Sequence, residues 1–222
     1  MKIFILIPPS EGKNDNGKFG HLKKLNPITG KLLDELNSYD GNLEKLYGVK
    51  DKALEKAKEI NRKIRKSKTL PAIERYSGVV YRGIGYESIK NKKLFGERVY
   101  ILSGLFGLIN SKELIPNYKF KINFFNADKL WKKENKEFFK NYFIIDLLPQ
   151  AHRKAVEYSN GIEVDFVILK NGKKIPAGHN GKFIKGRFVR WLIENDITSP
   201  DKFSEFNENN FKWDGGRFVK LK

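Results

Sequence analysis

Lys2-Ile3-Phe4-Ile5-Leu6-Ile7-Pro8-Pro9-Ser10-Glu11-Gly12-Lys13 is the stretch on which the reading of the fold turns. Its first half is a continuous apolar run with β-branched residues, which reads as a buried strand over residues 2–8, stopped by the double proline. Its second half is a polar strand-exit loop. Sheet proteins commonly place ligands at the carboxyl ends of buried strands, and this loop gathers a hydroxyl, a carboxylate and an ammonium around a permissive glycine. Ser10, Glu11 and Lys13 are therefore candidate site residues, set against the plainer reading of an ordinary turn. The loop lacks the glycine pattern of a Walker phosphate loop, and Asn rather than Ser or Thr follows Lys13.

Working outward, apolar residues at helical spacing predict amphipathic helices over 26–36 and along Val49, Ala53, Leu54, Ala57, Ile60 and Ile64. Lysines and arginines cover the rest of the second helix, which reads as a solvated face with Asp51, Glu55 and Glu59 three or four positions from a basic partner. Val79, Val80 and Tyr81 form a short apolar stretch. Strands are expected at 98–102, 118–125, 142–147 and 162–169, the last turning at Asn171-Gly172, a strong hairpin signal. Helices are expected at 130–139, 151–158 and 183–194, with a final one at 200–206 behind a capping turn. No repeat, low-complexity stretch or long linker interrupts the chain, so the expectation is a single mixed α+β domain over residues 1–222.

The 222 residues carry 44 Lys+Arg against 26 Asp+Glu, a formal charge of +18. With 40% hydrophobic and 13% aromatic residues the chain has too much core-forming material for a disordered protein. The absence of cysteine excludes disulfides, thiolate metal sites, iron–sulfur clusters and a cysteine nucleophile. Chemistry must use oxygen or nitrogen. The opening apolar run is too short for a membrane span or a signal segment, which leaves a cytoplasmic protein without membrane attachment as the expectation. The charge points to a polyanion partner, although lysine in excess over arginine is also what an AT-rich genome writes. Clustering on one face distinguishes the two.

Two further constellations stand out. Ile101-Leu102-Ser103-Gly104 is a strand running into a small-residue turn, where Ser103 and Gly104 let backbone approach a ligand, or where Ser103 simply caps. It lacks the Gly-x-Ser-x-Gly frame of a nucleophile elbow. The 182–195 segment reads as a largely buried helix with Arg187, Arg190 and Glu194 on its remaining strip. There Arg190 either pairs with Glu194 or sets a cation at the wall of an anion cleft. With the turn and helix behind it, this segment could form a helix-hairpin-helix-like unit that contacts nucleic-acid backbone. Arg82-Gly83-Ile84-Gly85 lacks the third glycine of a dinucleotide fingerprint. His21, His152 and His179 are single and widely separated, so each reads as structural or surface, and no metal or cofactor is expected.

In combination these blocks resemble the YaaA peroxide-stress protein family. The 6–13 stretch looks like the first-strand motif of one branch, and Tyr76-Ser77-Gly78-Val79-Val80-Tyr81-Arg82-Gly83 is similar to the family's Tyr-x-Gly-x-Val-Tyr-x-Gly block. Ser103-Gly104-Leu105-Phe106-Gly107-Leu108, continuing to Tyr118-Lys119, resembles its Leu-Ser-Gly-Leu-Tyr-Gly-Leu and Pro-Tyr-Arg stretches. The 182–190 segment resembles its Lys-x-x-Arg-Gly-x-x-x-Arg helix, with Lys185 in the place of arginine. Departures are Phe106 for Tyr, Asn117 for Pro, Lys119 for Arg, and Asp146-Leu147-Leu148-Pro149 for Asn-Leu-Ala-Ser, the last of which bears on one cleft wall. The resemblance implies a cantaloupe-like α+β fold around a basic cleft, cytoplasmic protection against peroxide, limiting of free iron, and DNA binding. On it, a cleft formed by Lys13, Tyr81, Arg82, Ser103, Gly104, Tyr118, Lys119, Lys182, Lys185, Arg187 and Arg190 binds duplex DNA or another phosphate-bearing ligand. Ser10, Ser103 and Arg190 are expected to face one cavity. The rival readings are an enzyme acting on a nucleotide or nucleobase glycosidic bond with Glu11 as base, and a small-anion binding protein.

Overall fold

The structure, a computed structural model, describes residues 2–175 and 177–221. In chain order the helices are α1 (Pro27–Ser38), α2 (Leu43–Tyr47), α3 (Asp51–Arg62), α4 (Ala72–Arg75), α5 (Val79–Ile84), α6 (Lys92–Arg98), α7 (Ala127–Asn135), α8 (Gln150–Arg153) and α9 (Gly178–Glu194). The strands are β1 (Lys2–Ile7), β2 (Leu70–Pro71), β3 (Val99–Ser103), β4 (Gly107–Asn110), β5 (Leu114–Ile115), β6 (Tyr142–Asp146), β7 (Gly161–Glu163), β8 (Phe166–Lys170), β9 (Lys173–Ile175), β10 (Lys212–Trp213) and β11 (Phe218–Leu221). The architecture is mixed α+β, as its alternating apolar patterns predict.

β1 occupies the middle of a five-stranded sheet in the order β4-β3-β1-β6-β7. It runs parallel to β3 and β6, and every residue from Ile3 to Ile7 is buried, as the interior strand of a sheet covered on both faces requires. All the parallel neighbours therefore end near one edge, and the loop after Ile7 emerges there. A second sheet, β10-β11-β8-β9, carries the hairpin at Asn171-Gly172, whose central residues both have positive φ, the geometry of a primed turn. One continuous apolar core joins the elements.

α5 and α9 cross with almost no space between their backbones. A Cβ on Gly83 would stand 2.2 Å from the Phe183 carbonyl, and one on Gly186 would stand 2.0 Å from that of Val80. Gly83, from the stretch that lacks the third glycine of a dinucleotide fingerprint, and Gly186 are thus the contact points of a helix pair, and the apolar stretch from Val79 is helix.

Several expected elements are corrected. Residues 118–125 alternate like a strand but have no strand beside them; the Asn61 side chain accepts from Lys119 N at 2.8 Å and donates to Lys119 O at 2.7 Å, taking the place of a neighbour. The expected strand 162–169 breaks at Val164-Asp165 and serves both sheets, β7 beside β6 and β8 beside β11. The helix expected at 151–158 lasts only for α8, and the one at 130–139 lies earlier, as α7. The segment after α9 is a 3-10 helix, Pro200–Glu205, with Ser199 Oγ accepting from Asp201 N at 3.3 Å.

Candidate functional site

The loop after β1 is stitched to the segment between α4 and α5. Lys13 pairs with Tyr76 as an antiparallel bridge, Ser77 N donates to Gly12 O at 3.0 Å, and Gly78 N donates to Ser10 Oγ at 3.1 Å. Gly78 has no room for a side chain, because its Cβ would fall 2.5 Å from that of Ser10. Tyr81, buried, donates its hydroxyl to Pro8 O at 2.9 Å. The first two sequence blocks therefore form one substructure, and its glycine is there to admit Ser10.

This substructure floors a cleft at the carboxyl edge of the central sheet. One lobe, a cavity of about 450 Å³, lies between Pro8–Gly12, the start of α5, Pro149 and His152, with Lys182 and Lys185 of α9 on its wall. A smaller lobe of about 160 Å³ shares Ser10, Glu11 and His152 and adds Lys13, Tyr118, Lys119 and Lys121. The combined lining holds the lysines Lys13, Lys119, Lys121, Lys182 and Lys185 and the acid Glu11. Glu11 is largely exposed and faces Lys119 Nζ at 3.5 Å.

Two of these lysines are unusual. Lys13 Nζ donates to Ser10 O at 2.9 Å and lies 4.3 Å from the centre of the Tyr118 ring; burial, reinforced by Lys119, pushes its pKa down to about 7. Lys185 Nζ donates to Leu147 O at 2.6 Å, and burial lowers its pKa to about 8. Behind Lys13, the buried guanidinium of Arg75 is bound to the backbone carbonyls of Asn14, Asn16, Lys68 and Ile115.

Other expected site residues lie elsewhere. Ser103 is wholly buried and accepts from Leu105 N and Phe106 N at 3.2 and 2.9 Å, which makes it a cap. Its hydroxyl ends a chain running through Tyr118 to Tyr76, with oxygens 2.8 and 2.6 Å apart, so it touches the cleft only through Tyr118, whose pKa burial raises to about 12. Gly104 is buried against the backbone of Ile122. Arg190 does not share a cavity with Ser10: it donates to Ser88 O at 2.9 Å and Ser88 Oγ at 2.7 Å and pairs with Glu194 at 2.8 Å. Arg187 pairs with Glu208 at 2.8 Å, and Arg82 is exposed on α5.

The sequence reading missed His152 and an ionic cluster beneath it. His152 borders both lobes, and its buried Nδ1 has no hydrogen-bond partner among the described residues; burial lowers its pKa to about 4. The rule that singled out Ser10, a loop at the carboxyl end of a buried strand, would also have found it after β6. Arg153 places its two terminal nitrogens 3.1 Å from the two oxygens of Asp165 and its Nε 3.3 Å from Asp146. Asp146 is wholly buried, and burial pushes its carboxyl up against the pull of the Leu148 amide and Arg153. The Asp146–Pro149 stretch thus reaches the cleft through Pro149 and through the carbonyl that holds Lys185. No group of three His, Asp or Glu side chains among the described residues is arranged to hold a metal ion, and no helix among them is long and apolar enough to cross a membrane.

Comparison with known proteins agrees with the family resemblance. A family model described as peroxide stress protein YaaA matches residues 1–216. A UPF0246 protein of Rickettsia peacockii (strain Rustic) is 28% identical over 198 residues, covering 81% of this chain and 80% of that protein. Another, from Corynebacterium glutamicum (strain R), is 28% identical over 214 residues, covering 86% and 84%. A third, from Ligilactobacillus salivarius (strain UCC118), is 23% identical over 163 residues, 65% of each.

Proposed function

Because the chain belongs to the peroxide stress protein YaaA family, we propose that it acts in the cytoplasmic response to peroxide by binding duplex DNA through its lysine-lined cleft. One observation carries the reading: five lysines from three separate chain segments converge on one cleft whose lining holds one carboxylate, Glu11. A codon-biased lysine surplus alone would scatter, whereas lysines gathered at one cleft concentrate positive charge that attracts phosphate and releases its counterions. In this reading α9, the turn after it and the 3-10 helix act as a helix-hairpin-helix-like contact to the backbone, and the limiting of free iron is the accompanying cellular outcome. A second reading rests on size. A cavity of about 450 Å³ suits a nucleotide or a flipped base, with Ser10, Glu11 and His152 at its surface for glycosidic chemistry.

The test compares two triple variants by fluorescence anisotropy with a labelled duplex over a salt series. Replacing Lys119, Lys121 and Lys182 with Gln should weaken binding equally across sequences and reduce the slope of log affinity against log salt by about 0.9 per lost phosphate contact. Replacing Lys56 and Arg62 of α3 and Lys63 at its C-terminal end, which include the pairs Lys56–Asp15 and Lys63–Glu59, removes the same formal charge and should do far less. Equal losses, or no duplex binding near physiological salt, would refute the DNA reading. In that event turnover of a nucleoside or damaged-base substrate, abolished by Glu11→Gln with binding retained, decides for the second.

A further inference from the structure

Many lysines of this chain sit in water beside a carboxylate; Lys13 does neither. Its side chain turns back over its own loop, so that Nζ rests on the Ser10 carbonyl with the Tyr118 ring 4.3 Å and the Tyr76 ring 5.3 Å away. The acids near it are engaged elsewhere: Glu11 with Lys119 at 3.5 Å, and Asp15 with Lys56 and Asn117 at 2.7 Å each. The flanking cations are Lys119 on the cleft wall and Arg75 behind, and Glu11, itself facing Lys119, pulls weakly the other way. Ring faces favour the ammonium form, but desolvation and two neighbouring positive charges outweigh them, and the pKa falls to about 7. An amine that loses its proton near neutral pH, borders a cavity and has no carboxylate paired directly with it is equipped as a nucleophile.

We propose that Lys13 is an imine-forming nucleophile and that its partner is an aldehyde flanked by phosphate, the chemistry of the ring-opened sugar at an abasic nucleotide. The proposal rests on the reading that the cleft holds phosphate, for which Lys119 and Lys121 stand on the Lys13 side and Lys182 stands across the cleft. In the reaction the Nζ lone pair forms a C–N bond to the aldehyde carbon while the carbonyl π pair moves to oxygen. A proton passes from nitrogen to that oxygen, giving a carbinolamine. After the hydroxyl takes a proton from solvent the C–O bond breaks, water leaves, and a protonated imine remains. Addition of water reverses the sequence. Lys185 is the internal competitor, also buried, but Asp165 and Asp146 support its positive charge.

The experiment traps the imine in the wild-type protein with cyanoborohydride near neutral pH and maps the adduct by peptide mass spectrometry. One arm uses a duplex with a single abasic site, and a second uses 2-deoxyribose 5-phosphate. A third measures affinity for a duplex bearing a tetrahydrofuran abasic analogue, which has no carbonyl. The expected result is modification of Lys13 over surface lysines by roughly a hundredfold or more, since about half of Lys13 but only about 0.04% of an ordinary lysine is neutral at pH 7. Lys13→Arg should lose the adduct, and binding of the analogue duplex is read on the wild type. Trapping by the sugar phosphate alone supports the nucleophile and assigns it a small phosphosugar. No adduct with either aldehyde, or an adduct on Lys185 or spread over surface lysines, overturns the proposal even when the analogue duplex binds. Failure of that duplex to bind, with Lys13 trapped by the sugar phosphate, overturns the DNA reading instead. If Lys13→Arg does not fold, the wild-type map and its half-maximal trapping near pH 7 decide alone.

Discussion

Lys13 and Lys185 fold with pKa values of about 7 and about 8 against 10.5 for an ordinary lysine, so each native group releases its proton before its unfolded counterpart. Between those values the unfolded chain binds more protons, and stability therefore rises with pH from about 7 toward 10. Above that window Tyr76, Tyr81 and Tyr118, whose pKa values burial raises, reverse the trend, because the unfolded tyrosines ionise first. Urea denaturation of the wild type should show the rise, and the double variant Lys13→Met with Lys185→Met should flatten it; an unchanged pH slope in the double variant would contradict the burial of these amines. Arg153 offers a second test at this scale. Arg153→Ala leaves the wholly buried Asp146 without its cation and should cost on the order of 3 kcal/mol, measured by the same denaturation, whereas Asp146→Asn in the Arg153→Ala background should recover part of the loss. Residue identity was a good guide to chemistry here where a side chain sat just after a strand, as at Ser10 and Lys13, and a poor guide where an arginine found a nearby acceptor. Arg190 has Glu194 one turn on and Ser88 opposite, and no count of charges in the sequence distinguishes that from a free cleft cation.

Among the elements, the α5–α9 crossing makes the sharpest prediction. Gly186→Ala places a methyl 2.0 Å from the Val80 carbonyl and 2.7 Å from Ile84 N, so the helices must part, with an expected loss of about 1–3 kcal/mol or more. Gly30→Ala on α1 has no atom within 4 Å of the new methyl and should be neutral or gain about 0.5–1 kcal/mol from helix propensity. Chemical denaturation of the two variants checks the pair, and equal effects would mean the crossing is not tight. β1, α1, β3 and the 171–172 hairpin were legible because each obeys one local rule without interference: an unbroken apolar run, apolar residues at helical spacing, or an Asn-Gly turn. The 118–125 segment was not, since alternation records which side chains are buried and leaves open what satisfies the backbone. At Lys119 a single asparagine side chain from α3 supplies both hydrogen bonds, and Lys121 O and Ile122 O accept from Phe124 N and Asp128 N in turns. Likewise the alternation over 162–169 continues through a break that the sequence does not mark, because Val164 N turns to Asp146 O and Asp165 O receives Phe218 N from a strand some 50 residues later.

For the molecule as a whole, a formal charge of +18 sets the electrostatics. The surface pairs, such as Lys58–Glu55 and the two lysines on Glu157, contribute little each, so mutual repulsion among unpaired lysines dominates. The melting temperature should accordingly rise as potassium chloride is increased from about 20 to about 200 mM, over which the screening length shortens from roughly 20 to 7 Å. A fall on adding salt would show that attractive pairs prevail. The meeting of distant blocks at one cleft was legible in outline from their shared family order, but the exclusion of Ser103 and Arg190 from it was not, since that depends on which wall of the packed molecule each one faces. The position of β1 has a further consequence, for biosynthesis. Its parallel partners begin at Val99 and Tyr142, so the ribosome makes Ile3–Ile7 well before any strand that can pair with it. At about 5–20 residues per second the strand waits roughly 7–30 s for β6, and throughout that time it is a short, uncharged, strongly β-prone segment of the kind that recruits other nascent chains. Aggregation of this protein in a cell should therefore respond to translation speed and chaperone supply before it responds to the stability of the finished fold.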